Sequence, residues 1–315
     1  MKSSFSLPLQ GEAGPALRVK RDSCGPARRA QPVRNSMTDF NKLYQEYGEY
    51  NILYNQLNMP SPSMEYAWRK TKKIIQDEAQ NLINKSQKDM AICDIGCGNG
   101  ALIIRLDELT RNLPQRVSYE GFELSNPFVN YGRQAAKFKK LPNIFFKRFD
   151  IEKDHFQNKY DIIICTEVLE HLHDPKNALE RIHHSLNNGG VLLLSTPNSK
   201  NLIKYPFPFL KKIVTGRDSH ELAKFLTKKE HQFKLAELEQ HLYVYSHREL
   251  KNILKQLGFT IYRAPRSTTL FGGPFLDNHS LLFAVTILFD SFFDLISPPQ
   301  LGWDNIFFCR KDNRA

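Results

Sequence analysis

Three groups of residues have the types and spacing to do chemistry. The first is Asp94-Ile95-Gly96-Cys97-Gly98-Asn99-Gly100. Glycines at alternate positions after an apolar run let a ligand come close to the backbone, and the helix predicted to follow aims its N-terminal N–H groups at it. The second is Glu167-Val168-Leu169-Glu170-His171. Two carboxylates and an imidazole within five residues offer ligands to one divalent ion, or a proton acceptor to a hydroxyl substrate. The third is His220, His231 and His241, each eligible as a general base, although a solvated surface histidine is the plainer fate.

These residues need elements to hold them. Met64, Ala67, Trp68, Thr71, Ile74, Ile75, Ala79, Leu82 and Ile83 recur at helical spacing, predicting a helix from Ser63 to about Lys85. Strands are then predicted at 90–95, 117–123, 144–149, 160–165 and 191–195, with helices at 101–109, 127–139 and 175–186 between them. After a long segment come a helix at 247–257, stopped by Gly258, and strands at 259–263 and 305–310. Strands separated by helices of this length imply a mostly parallel sheet covered on both faces. The glycine turn at 96–100 and Glu167–His171 each follow a strand, at the edge where such sheets place their ligands.

The chain has 315 residues, 41% of them hydrophobic, with 44 Lys+Arg against 33 Asp+Glu, for a formal charge of +11. Residues 1–36 hold seven basic and two acidic residues, so that stretch accounts for +5 and the remainder for +6. A nucleic-acid reading from net charge alone is thereby weakened. The stretch 1–36 contains no Ile or Tyr and is expected to be a disordered basic extension, with Met37 the favoured true start. Residues 37–89 are expected to form an N-terminal helical segment and 90–315 the main domain, with lid-like insertions at about 198–245 and 264–304. The second insertion carries the apolar run Leu281 to Ile296, expected to pack under a lid, or else to meet a membrane surface or an apolar substrate. Five cysteines without metal-knuckle spacing suit a reducing, cytoplasmic compartment. Cys93, Cys97 and Cys165 read as small buried residues. No stretch reaches the roughly 20 apolar residues of a transmembrane helix.

Taken alone, Gly96-x-Gly98-x-x-Ala101 also satisfies the dinucleotide fingerprint. Four features point away from a nicotinamide site: the acid Asp94 before the first glycine, a glycine at 100, Glu123 closing the second strand, and Asp150 closing the third. With these in place the chain resembles the class I S-adenosylmethionine-dependent methyltransferases. DIGCGNG is similar to their first motif, GFELS at 121–125 to the second, RFDIE at 148–152 to the third, YDIIICTEVLEHLHDP at 160–175 to the fourth and NNGGVLLLSTPN at 187–198 to the fifth. The branch it most resembles contains the quinone-biosynthesis O-methyltransferases.

The resemblance implies a seven-stranded Rossmann-like α/β sheet of order 3-2-1-4-5-7-6 with the last strand antiparallel. It implies S-adenosylmethionine as cofactor, along Gly96, Gly98 and Gly100, with Asp94 organising the turn near its methionine end. Glu123 would grip the ribose hydroxyls, Asp150 would accept from the adenine amine, Leu124 and Ile151 would sandwich the ring, and Thr166 would line the pocket. EVLEH resembles the metal-binding ExxEH of the quinone enzymes and of the small-RNA 3′-terminal 2′-O-methyltransferases. In the latter a further histidine completes the site, and His241-Leu242-Tyr243-Val244-Tyr245-Ser246 fits its pattern. Glu167, Glu170, His171 and His241 are thus candidate ligands of Mg²⁺ or Mn²⁺, with Glu167, His171 and His241 as catalytic candidates. An architectural role for the cluster stays open. The expected acceptor is a hydroxyl of a small or lipid-like compound. The alternatives are RNA 2′-O-methylation and a non-catalytic cofactor-binding subunit.

Overall fold

A computed structural model of the chain describes residues 62–200, 241–268 and 279–312. The expected basic extension at 1–36, His220 and His231 lie outside the described residues. The first helix, α1 (Pro62–Lys85), precedes β1 (Met90–Ile95), α2 (Ala101–Thr110), β2 (Val117–Glu123), α3 (Asn126–Phe138), β3 (Ile144–Arg148) and β4 (Tyr160–Thr166). A short 3-10 turn, Leu169–His171, leads to α4 (Pro175–Ser185) and β5 (Leu186–Pro197). Beyond the long insertion are α5 (His247–Gln256), β6 (Phe259–Arg263), α6 (Ser280–Ile296) and β7 (Asp304–Lys311).

The seven strands form one sheet in the order β3-β2-β1-β4-β5-β7-β6, as expected. β7 runs antiparallel to both its neighbours, and the other pairings are parallel. Alternate side chains of each central strand enter different cores. Ile92, Ile162, Ile164, Val191 and Leu193 join one with Ile75 and Ile83 of α1, Leu102, Ile103, Ile104 and Leu106 of α2, and Val129 of α3. Cys93, Ile163, Cys165, Leu192 and Leu194 join the other with Leu179 and Ile182 of α4 and Leu250 and Leu254 of α5. This two-sided burial explains the unbroken apolar run Ile162-Ile163-Ile164-Cys165: neither face of β4 meets water, so no polar alternation is needed.

Local signals set the ends. Asp174 accepts the N–H of Asn177 at 3.1 Å and Pro175 opens α4. Ser246 and Glu249 form a reciprocal capping box at the start of α5. β5 starts earlier than expected, because Leu186 pairs with Tyr160 across a register shift before the regular ladder at Val191.

The largest difference from expectation is α6. The apolar run is helical, and its outward side chains are exposed rather than packed under a cover: Leu281 is 80% exposed, Leu288 73% and Phe292 56%. No described helix is long and apolar enough to cross a membrane.

Candidate functional site

β1 ends at Ile95 and the chain turns sharply through Gly96, Gly98 and Gly100, at φ of 67°, 53° and 76°. An L-residue pays about 1–2 kcal/mol for such a conformation. The three glycines differ in their surroundings. A Cβ on Gly96 would stand 2.3 Å from Val168 Cγ2, and one on Gly100 would stand 2.3 Å from the Phe146 ring. At Gly98 a Cβ would meet no atom within 4 Å. The turn is thus pressed against its neighbours at both ends and open in the middle, as a ligand lying along the backbone requires.

Glu123, the last residue of β2, fastens this turn. Its Oε2 accepts the Gly98 N–H at 2.9 Å and its Oε1 the Ser125 N–H at 3.0 Å. Burial pushes its carboxyl above the ordinary value, while these N–H groups pull the other way. Leu124 adds a third backbone N–H, so about one of the roughly four acceptor sites of the carboxylate remains for a ligand. Asp94 is buried, and its Oδ1 has no hydrogen-bond partner among the described residues. Burial raises its pKa to about 7, offset by Lys72 and reinforced by Glu123. An orphaned acceptor beside an open glycine turn fits a cofactor with an ammonium or hydroxyl to donate.

Leu124 and Ile151 follow the ends of β2 and β3. Ile151 is buried with the stacked rings of Phe122 and Phe149, 4.5 Å apart. Asp150 belongs to its own loop, where Oδ1 accepts the Glu152 N–H at 3.0 Å and Oδ2 stands 3.1 Å from Lys153 Nζ. Thr166 closes β4 opposite Ser195 of β5.

Glu167, next along the chain, sits at φ 54° without being glycine. Two bonds to Ser195 hold it there: its N–H donates to Ser195 O at 3.1 Å, and Ser195 Oγ donates to its Oε1 at 2.6 Å. Strain maintained in this way marks functional sites. Glu170 is buried, accepts from Thr196 Oγ1 at 3.0 Å, and lies 3.8 Å from His171 Nε2. Burial raises the pKa of both glutamates, and for Glu167 the charge of Glu170 adds to the effect.

His241 arrives from the far end of the insertion. Leu242 and Tyr243 donate their N–H groups to Glu170 O, at 2.6 and 3.2 Å, and Ser199 donates to Tyr245 O at 3.0 Å. Asn305 Nδ2 also donates to Tyr245 O, at 2.8 Å. These bonds put the His241 ring 5.3 Å from that of His171. Glu170, His171 and His241 each offer a ligand atom within 4.8 Å of the others. One carboxylate and two imidazoles suit a divalent transition ion. Glu167 stands outside that trio, engaged with Ser195.

Several neighbours of the site carry little sequence signal. Lys72 of α1 lies 3.4 Å above the Trp68 ring, and its pKa falls to about 8 by burial, against the attraction of Asp94 and Glu167. Asp304 is buried, accepts from Thr71 Oγ1 at 2.6 Å, and has its pKa raised by burial and by Glu167. In the sequence Thr71 and Lys72 are residues of an amphipathic helix and nothing more. Ser195 and Thr196 lie in the NNGGVLLLSTPN stretch, where their hydroxyls were the available hint. Burial raises the thiol pKa of Cys93, Cys97 and Cys165, so none is an activated nucleophile.

The family described as a methyltransferase domain matches residues 67–264, more than half of the chain. The tRNA U34 carboxymethyltransferase of Helicobacter acinonychis is 30% identical over 118 residues, covering 35% of this chain and 42% of that protein. The carboxy-S-adenosyl-L-methionine synthase of Campylobacter lari is 23% identical over 185 residues, covering 58% and 74%. The chain spans about two fifths of the length of the first of these relatives. Among solved structures, the magnesium protoporphyrin IX methyltransferase of Synechocystis PCC 6803 with bound SAH superposes with a TM-score of 0.53 at 16% identity, covering 86% of this chain and 99% of that one.

Proposed function

The chain belongs to the methyltransferase domain family, and from that premise we propose that it methylates a hydroxyl of a small or lipid-like acceptor. Its sheet order is that of the class I S-adenosylmethionine-dependent methyltransferases. The observation that carries the reading is the proton-handling cluster of Glu167, Glu170, His171 and His241 at the strand ends. A hydroxyl nucleophile has a proton to lose, and these groups supply acceptors for it.

S-adenosylmethionine, when bound, supplies an electrophilic methyl group whose departure returns an electron pair to sulfur. Gly98 leaves room for it, Glu123 offers its remaining acceptor site to a hydroxyl, and Asp94 Oδ1 is open to accept from its methionine end. Positioning supplies much of the rate, because in-line alignment converts a two-body encounter into a step within one complex. Glu167 takes the acceptor's proton, or His241 does where it holds no ion. A divalent ion held by Glu170, His171 and His241 would add Lewis acidity that lowers the acceptor's pKa.

A second reading, methylation of RNA, is supported by the 30% identity to tRNA U34 carboxymethyltransferase and by the His241 context. Methyl-tritiated cofactor separates the two. Offered lipid extract, quinols and total RNA together, the enzyme is expected to send label into the organic phase. Label confined to precipitated RNA would favour the second reading. Cofactor binding without label in either fraction would leave a non-catalytic subunit.

A further inference from the structure

α6 is built inside out for a surface helix. Its polar anchor points inward: Asp290 is fully buried and accepts from Lys70 Nζ at 2.5 Å and Tyr66 Oη at 3.3 Å, while its backbone O accepts from Arg266 at 2.9 Å. Phe283 adds an edge-to-face contact with Tyr66 at 6.3 Å. The opposite face carries Leu281, Val285, Leu288, Phe292 and Ile296, spaced by three or four residues, all exposed, with Phe289 beside them. Two hydroxyls of the helix bond to its own backbone. Thr286 donates to Leu282 O at 2.5 Å and Ser291 to Ile287 O at 3.2 Å, so each is satisfied within the helix. An apolar stripe of this extent, with its hydroxyls already bonded, is a surface built to be covered.

We propose that this face docks on an anionic lipid bilayer and lies in its interface. The helix has 17 residues, about 25 Å at 1.5 Å each, short of the roughly 30 Å hydrocarbon core, so it lies in the surface rather than crossing it. Charge selects the occupant. Residues 37–315 alone carry +6, so a second copy would bring like charge, whereas an anionic surface complements it. In the sequence, residues 200–234 hold nine basic and three acidic residues. An apolar face and a basic excess in one chain are the two signals that stable peripheral attachment needs. Docking here would bring the strand ends holding Glu167 and Glu170 toward a source of lipid-like acceptor. That last clause rests on the methyltransferase reading above, whereas the docking does not.

The test is vesicle flotation of the full chain. Vesicles of phosphatidylcholine containing about one third phosphatidylglycerol are compared with phosphatidylcholine alone, for the wild type and the triple variant L281S/L288S/F292S. The wild type is expected to float with the anionic vesicles, less so in high salt. The variant should bind at least about tenfold more weakly while keeping its Tm and cofactor affinity, since the three side chains lie on the outer face. Wild type that stays in solution with both vesicles, a variant that floats equally, or equal flotation on the uncharged vesicles overturns the proposal. So does a wild-type dimer that becomes a monomer in the variant without any vesicle binding, which would give the face to a second copy. Vesicle binding without methyl transfer would leave this inference standing and remove the catalytic one.

Discussion

The carboxylate of Glu123 accepts the backbone N–H of Gly98 at 2.9 Å, joining the end of β2 to the open centre of the glycine turn after β1. One side chain therefore shapes the turn and faces the space above it. Glu123→Ala removes a charged acceptor and is expected to weaken S-adenosylmethionine binding by roughly ten- to a hundredfold, equivalent to about 1.5–3 kcal/mol. Unchanged affinity by titration calorimetry would end the assignment of Glu123 to the cofactor.

The glycines divide the labour between folding and binding. Gly100→Ala drives a Cβ into the Phe146 ring and should cost about 1–3 kcal/mol of stability, read as a lower Tm. Gly98→Ala meets no described atom, so its stability cost should stay near the roughly 1–2 kcal/mol of its left-handed φ, while cofactor affinity falls by about tenfold or more. The reverse pattern would show that the open face is not where the cofactor lies.

Asp94 gives a pH signature. Its folded pKa, about 7, stands above the ordinary 3.8, so the protonated form is favoured in the folded protein. The corresponding stability is complete below pH 3.8 and is lost as pH rises through 7. Lys72, lowered to about 8 from 10.5, acts in a separate window: its buried charge costs stability below pH 8, and the cost disappears toward 10.5. The Tm of the cofactor-free wild type, measured relative to Asp94→Asn, is expected to decline between pH 4 and 7. A flat difference profile would mean that Asp94 ionises as freely as in water.

The Glu170–His171–His241 trio makes a separable claim. If it holds a divalent ion, EDTA should abolish methyl transfer while leaving cofactor affinity largely intact, and added Mg²⁺ or Mn²⁺ should restore the wild type but not His171→Ala. Two imidazoles also admit Zn²⁺. Turnover that survives EDTA, together with weaker cofactor binding in His171→Ala, would make the cluster architectural and leave His241 as the proton acceptor.

Much of the architecture was legible in the sequence because it is encoded locally. The run Ile162 to Cys165 needs two covered faces, Gly96 to Gly100 permits a turn that other residues resist, and Pro175 opens a helix. Together with the ordered motifs, these determined the sheet and the position of the glycine turn. What the sequence left open depended on atoms far apart in the chain. His241 reaches His171 because Tyr245 O is held by Ser199 and Asn305, and Leu242 and Tyr243 donate to Glu170 O. Lys72 approaches Asp94 because α1 packs its apolar side on the sheet, which no spacing within α1 reveals. The same limit applies to α6: periodicity says which side chains share a face, but not whether that face meets protein or solvent. Only the tertiary structure turned Asp290 inward to Lys70 and Arg266 and left Leu281, Leu288 and Phe292 outside.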